Sequence, residues 1–186
     1  AALAYSRYAT AALDVRPDEQ EELVATLDAP FAWAPAAAAL AAAAAAGEPH
    51  TLAAALRRLR RRVFVHTLAR DLTARADLAE VCANMTTLAE AALNAAAGLH
   101  HRALATEDGE PRDENGRTQD LVVIGMGKLG GRELNVSSDV DLVFVYPEDG
   151  DTDGVRALSN REFFERLGRG SIGALHETTP DGYVFR

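Results

Sequence analysis

Lysine is almost missing from this 186-residue chain: of its 19 lysine and arginine residues, every one is arginine except Lys128. A composition that writes arginine everywhere else and keeps one lysine directs attention to the stretch that holds it, Leu121 to Tyr146. Cysteine is as scarce. Cys82 stands alone, which excludes an internal disulfide and fits a reducing compartment. It falls in a helical apolar pattern and reads as a small buried hydrophobe rather than a nucleophile. Positive charge is outweighed: a net charge of −9 argues against bulk binding to nucleic acid or an anionic membrane and leaves room only for a local basic patch. Long apolar runs are missing too. The longest, Ala36 to Ala46, falls short of the ~20 residues that cross a bilayer. Ala1-Ala2-Leu3 opens the chain without the basic-then-apolar pattern of a secretory signal, so the expected location is the cytoplasm.

What is present is helix first and mixed structure afterwards, an α+β pattern. Residues 1–105 read as a helical bundle or hairpin region. Pro17, followed by Asp18, Glu19, Glu21 and Glu22, places proline and acids where a helix N-terminus favours them. Pro30 to Pro35 and Gly47-Glu48-Pro49 are breaks, and the alanine run between them is expected to be helical. Thr51 is expected to cap a long helix with Leu52, Leu56, Leu59 and Val63 on one face and Arg57, Arg58, Arg60, Arg61 and Arg62 on the opposite, solvated one. A second helix carries Leu78, Val81, Cys82, Met85, Leu88 and Ala92 and is expected to fade near Gly98. Residues 106–118 are polar, bear proline and glycine, and read as a linker. Residues 119–186 then give strand Leu121–Ile124, a turn, strand Val140–Tyr146, an acidic loop, and a helix announced by the Ser159/Glu162 capping box. Thr179-Pro180-Asp181-Gly182 is a turn signal, and Tyr183 to Arg186 reads as a strand that stops after its start, the mark of a fragment.

Gly125-Met126-Gly127-Lys128-Leu129-Gly130 matches the G-x-G-x-x-G of a dinucleotide-binding turn. Spacing argues against that alternative. A parallel crossover takes a dozen or more residues, whereas only Arg132 to Ser138 separate Gly131 from Asp139. A phosphate-binding P-loop is weaker still, because Leu129 stands where Ser or Thr should follow the lysine. Asp139 and Asp141 open their strand, and residues i and i+2 of a strand share a face. Two carboxylates side by side call for a cation, and Mg²⁺ (Mn²⁺ as the alternative) is held typically by one or two carboxylates together with waters and substrate phosphates. Gly130 and Gly131 would let backbone N–H groups approach a phosphate, with the positive end of a short helix after them. Ser137 and Ser138 add hydroxyls, and Lys128 a compact cation.

The stretch GMGKLGGRELNVSSDVDLVFVYPEDG resembles the bifunctional glutamine synthetase adenylyltransferase/adenylyl-removing enzymes of the DNA polymerase β-like nucleotidyltransferase superfamily. The resemblance continues through NREFFERL and TPDGYVFR and reaches back to LRRLRRRVFVHTLARDL, about the last two-thirds of the chain. It implies a polymerase β-like domain with a mixed sheet, incomplete here, whose Asp139 and Asp141 hold the metal. The Glu133 to Ser138 version resembles the N-terminal, adenylyl-removing copy, which uses inorganic phosphate to release ADP from adenylylated glutamine synthetase. Implied partners are glutamine synthetase, a PII-type nitrogen regulatory protein, phosphate and an adenine nucleotide (AMP moiety, ADP or ATP). Members of the family supply a third carboxylate further along the last strand. The chain reaches only Arg186 and Asp181 is a poor substitute, so these residues alone are expected to be inactive or nearly so. The remaining clusters read as structural. His66, His100 and His101 lack acidic or cysteine partners at ligand spacing. Glu148, Asp149, Asp151 and Asp153 read as a solvated loop. A non-catalytic docking module is the other alternative, with the arginine face as its surface.

Overall fold

In the computed structural model, residues 6–185 are described. Among them seven helices and two strands succeed one another: α1 (Arg7–Asp14), α2 (Pro17–Thr26), α3 (Trp33–Ala45), α4 (Pro49–Leu72), α5 (Leu78–Asp108), β1 (Val122–Gly125), α6 (Gly127–Gly130), β2 (Leu142–Val145) and α7 (Asn160–His176). The α+β class stands. Among the described residues the sheet is one antiparallel pair rather than mixed, with Val122 opposite Val145 and Gly125 opposite Leu142.

Local signals set most helix starts. Pro17 occupies the first turn of α2 with Asp18 and Glu19, as the charge–dipole argument requires. Ser159 Oγ accepts from Glu162 N at 3.2 Å and caps α7. Asp77 does the same for α5 through Glu80 N at 2.8 Å. At α4 the expectation fails. Pro49 fixes the first turn and Glu48 takes the cap position, which puts Thr51 inside the helix. Nor does α5 fade at Gly98. It runs for 31 residues because Leu99 and the half-buried Leu104 keep its apolar face covered. The loop therefore begins at Gly109, whose φ of 88° ends the helix.

One core cluster threads both halves of the chain. Leu52, Leu56, Leu59 and Val63 of α4 meet Met85, Leu88, Ala92 and Leu99 of α5, together with Leu129, Leu134, Leu175, Val184 and Phe185. Within it, Trp33 Nε1 donates to Asn84 Oδ1 (3.1 Å), and Asn84 Nδ2 to Thr67 Oγ1 (3.2 Å), so the buried amide is satisfied. A second cluster, Phe163, Phe164 and Leu167, seats α7 beside Leu104, Leu121 and Tyr146.

The arginine-rich stretch of α4 is not a solvated face. Arg57 is 2% and Arg61 7% exposed. Arg61 forks onto Glu19 of α2 with two bonds of 2.8 Å, and Arg62 pairs with Glu22. Arg57 donates to the backbone carbonyls of Gly182 (2.9 Å), Ala174 (3.3 Å) and Glu177, and Arg60 to Val184 O at 2.8 Å. Of the five, Arg58 alone is exposed. Periodicity reports which face a residue takes, and the covering elements here come from α2 and from the far end of the chain. The turn at Thr179–Gly182 forms as expected, closed by Gly182 N to Thr179 O at 2.8 Å. Tyr183 to Phe185 form no strand: Val184 N and Phe185 N both donate to Leu175 O, folding the segment onto the end of α7. Arg186, the last residue of that expected strand, lies outside the described residues, as do Ala1 to Tyr5.

The acidic loop is more tied down than a solvated loop. Asp153 accepts from Glu110 N and Arg112 Nε, each at 2.8 Å, and the Arg112 guanidinium lowers its carboxyl pKa. Fully buried Asn160 donates to Arg112 O and Glu148 O, joining the two loops that flank the hairpin. No helix among the described residues is long and apolar enough to cross a membrane.

Candidate functional site

The strands are short, four residues each, and what they position sits at one end of the hairpin. Antiparallel pairing brings the exit of β1 beside the entrance of β2: Met126 N donates to Asp141 O at 2.9 Å. The glycine turn, Lys128 and the two aspartates therefore share one edge of the molecule. The same pairing removes the dinucleotide-binding alternative, whose two strands must run parallel on either side of a crossover helix.

Asp139 and Asp141 precede β2 rather than lying within it. Both are exposed, in step with Val143 and Val145, while Val140, Leu142 and Phe144 turn toward the core. The expected alternation thus holds although the ladder is shorter than expected. Neither carboxylate is engaged by a hydrogen bond or ion pair from the described residues, so both are available to a cation. Among those residues no group of three or more His, Cys, Asp or Glu side chains gathers to hold a metal. Two open carboxylates at a strand entrance fit Mg²⁺, which takes few protein ligands and completes its shell with water and phosphate.

The glycines have reasons of their own. A Cβ on Gly130 would lie 2.4 Å from Gly125 O, and one on Gly125 would lie 2.8 Å from Leu129 Cγ. Gly127 has a φ of +51°, in the left-handed region that glycine tolerates. The turn is a close-packed corner that tucks buried Leu129 under the end of β1. Its short helix, α6, lies within the glycine turn and not after it as expected. The N–H groups of Gly130 and Gly131 donate to Met126 O (3.2 Å) and Gly127 O (2.9 Å), so they are engaged in the turn. Beyond it Arg132 takes a left-handed φ of 58° and pairs with Glu90 at 3.0 Å.

Fully buried Leu134 anchors the spacer, and Asn135 organises the two serines beyond it. Its Oδ1 accepts from Ser137 N (3.1 Å), Ser137 Oγ (3.2 Å) and Ser138 Oγ (2.9 Å). Both hydroxyls thus have a resident partner, a role for Asn135 that its place in an Asx-type turn foreshadows. Lys128 is exposed; its carbonyl accepts from Glu133 N at 2.8 Å, and its ammonium makes no hydrogen bond or ion pair with the described residues. Beneath the aspartates lies an apolar cavity of about 160 Å³, lined by Val140, Leu142 and Phe144 on one side and Leu175 and Phe185 on the other. A larger open cleft of about 460 Å³ separates α5 from β1, with Glu90 and Arg132 at its rim.

His176 lines the cavity under the aspartates, whereas His66 and His100 line neither it nor the cleft beside β1. Burial lowers the pKa of both His66 and His100 below the ordinary 6.5. His66, 4% exposed, reaches Thr26 O at 3.3 Å, a structural position as expected.

The sequence profile of the family described as glutamate-ammonia ligase adenylyltransferase matches residues 1–186. Its relatives include proteins that bear the name bifunctional glutamine synthetase adenylyltransferase/adenylyl-removing enzyme. The protein of Burkholderia mallei is 50% identical over 99% of this chain and 20% of its own length. That of Nitrosomonas europaea is 47% identical, with the same 99% and 20% coverage. That of Aromatoleum aromaticum is 56% identical over 73% of this chain and 14% of its own length. The chain therefore spans about 20% of the longest-matched curated relatives.

Proposed function

The chain belongs to the glutamate-ammonia ligase adenylyltransferase family, and from that premise we propose that it carries the adenylyl-removing site of a bifunctional enzyme acting on glutamine synthetase in the cytoplasm. The observation that carries this reading is the meeting of the glycine turn with the aspartate pair, Met126 N to Asp141 O at 2.9 Å. In the reaction an oxygen of inorganic phosphate bonds to the phosphorus of the AMP group on a tyrosine of glutamine synthetase. The bond from that phosphorus to the tyrosine oxygen breaks, the tyrosine oxygen regains a proton, and ADP leaves. Asp139 and Asp141 would hold Mg²⁺ or Mn²⁺, which supplies charge neutralisation to the phosphates when bound. Lys128 offers its unpartnered ammonium to a phosphate oxygen of the adenine nucleotide or of free phosphate. Gly130 and Gly131 keep the turn tight enough for that lysine to stand beside the aspartates. Ser137 and Ser138, held by Asn135, set the approach of the chain into Asp139. A PII-type nitrogen regulatory protein is the proposed controlling partner.

The test uses the chain at the full length of its relatives, with Asp139→Asn and Asp141→Asn made separately. Phosphate-dependent release of ADP from adenylylated glutamine synthetase should fall roughly a hundredfold or more in each, as expected when charge stabilisation of a transferring group is removed. Transfer of AMP from ATP to the unmodified substrate should persist. Loss of transfer with removal intact would assign the site to the other half, and persistence of both would reject it. The 186 residues alone are expected to show no phosphorolysis, because no third carboxylate joins the pair among the described residues.

A further inference from the structure

The arginines of α4 and the aspartates of the hairpin entrance lie on different elements, yet one chain of contacts joins them. Arg57 binds three carbonyls of the segment around the end of α7: Ala174 (3.3 Å), Glu177 and Gly182 (2.9 Å). Arg60 adds Val184 O at 2.8 Å, and its guanidinium lies 4.9 Å from the ring of Tyr183. Asp181 completes the clamp from the turn, 3.0 Å from Arg16 and 3.5 Å from Arg61. The clamped segment ends in Val184 and Phe185, which are 0% and 6% exposed. Their amides are fastened to Leu175 O at 2.9 and 3.2 Å. Phe185 and Leu175 line the same apolar cavity as Val140 and Leu142, the residues interleaved with Asp139 and Asp141. The floor under the aspartate pair is thus supplied in part by a segment with no regular secondary structure. A segment of that kind needs side-chain donors for its carbonyls, and α4 provides them.

We infer that Arg57 and Arg60 are positioning residues for the candidate site: by holding residues 174–184 they seat Phe185 against Val140 and Leu142 and so fix where Asp139 and Asp141 stand. The inference rests on the proposed metal-binding reading of those aspartates for its functional meaning, and on contacts alone for its mechanical one. Arginine suits the task better than lysine. Its planar fork spreads five donors in a fixed geometry over several carbonyls at once, whereas an ammonium gathers three rotatable donors at one point on a flexible stem. An exposed residue of the same helix, Arg58, makes none of these contacts and is the internal control.

The experiment uses this chain with Arg57→Lys, Arg60→Lys, Phe185→Leu and Arg58→Ala, and follows individual amides by hydrogen exchange. The reporter is Met126 N–H, which is bonded to Asp141 O; the reference is the set of buried amides in the middle of α5. Arg57→Lys, Arg60→Lys and Phe185→Leu should each speed exchange at Met126 by roughly tenfold or more while the α5 amides hold their protection. Arg58→Ala should change neither. Should Arg57→Lys fail to fold, Arg60→Lys and Phe185→Leu decide the matter. Equal acceleration at Met126 and α5, or none at Met126, overturns the inference. Mn²⁺ titration of the same samples separates it from the functional reading. Broadening of resonances around Asp139 and Asp141 that weakens roughly tenfold or more in Arg57→Lys supports both. A responsive Met126 with no broadening in the parent chain keeps the clamp and rejects the metal.

Discussion

Replacing Gly130 with alanine isolates the idea that the glycine turn is a packed corner. The new Cβ would stand 2.4 Å from Gly125 O and 3.3 Å from Gly125 C. Both are backbone atoms, so no side chain can swing away, and ordinary contact requires the turn to move by about 1 Å against β1. Forcing an extra methyl into such a place costs about 1–3 kcal/mol. Alanine returns part of this, about 0.4–1 kcal/mol, by restricting the unfolded chain. The balance is a loss of about 1–2 kcal/mol, or roughly 3–6 °C in melting temperature for a chain of this size. Gly173 supplies the opposite case. It is exposed in α7, and nothing lies within 4 Å of its Cβ position. Gly173→Ala should therefore raise stability by about 0.4–1 kcal/mol. Thermal unfolding by circular dichroism in one buffer gives both shifts. A Gly130→Ala chain that melts at or above the parent, or shifts of the same sign for both variants, would refute the reasoning.

The buried pair Arg61–Glu19 gives a second expectation: Arg61→Met should cost about 3–5 kcal/mol by stranding Glu19, Glu19→Leu should cost less because Asp181 still faces Arg61 at 3.5 Å, and the double variant should recover most of the loss. Urea unfolding of the three variants checks this, and additive losses would count against a shared interaction. Ser159→Ala should lose about 1 kcal/mol by removing the cap of α7, measured the same way. Stability should also fall in mild acid. Burial holds His66 and His100 below their ordinary pKa of 6.5, so below that pH the unfolded chain binds more protons than the folded one. Their contribution is intact above pH 6.5 and is lost as pH drops through the lowered values. Urea midpoints across that range should slope less in His66→Gln than in the parent, and an unchanged slope would place the acid sensitivity elsewhere.

What could be read from sequence was local. Pro17 and the Ser159/Glu162 box mark helix starts because each acts within one turn of its own chain, while Pro49, read as a break, in fact opens α4. The aspartates could be placed at a strand entrance because alternation is a property of neighbouring residues. Thr51 misled because a cap preference competes with the fixed φ of Pro49, which won. The glycines were legible as a turn but not in their reason, since the atom that excludes a Cβ at Gly130 belongs to Gly125 and only the fold brings it there. Tyr183 to Phe185 have strand-forming residues, yet the amides of Val184 and Phe185 find Leu175 O first. Propensity gave way to a tertiary partner that no window contains.

The arginines of α4 show how far an angular argument reaches and where it stops. At about 100° per residue, Arg57, Arg60 and Arg61 fall within an arc of about 100°, while Arg58 and Arg62 fall on another. These are two stripes, and they flank the stripe of Leu52, Leu56, Leu59 and Val63 on either side at similar angles. Arg61, about 170° from the middle of that stripe, does lie opposite it, where a solvated face belongs, and is buried only because Glu19 of α2 reaches it. Positions that border a buried stripe are the ones that adjoining elements meet, and a guanidinium there can bury its stem and still find acceptors. The first stripe meets Glu19 and the carbonyls of residues 174–184; of the second, Arg62 reaches Glu22 and Arg58 remains in solvent. Arg57 and Arg58 each stand about 130° from the middle of the apolar stripe, on its two sides, so angular position sorts the arginines into stripes and the fold decides which stripe meets α2 and residues 174–184.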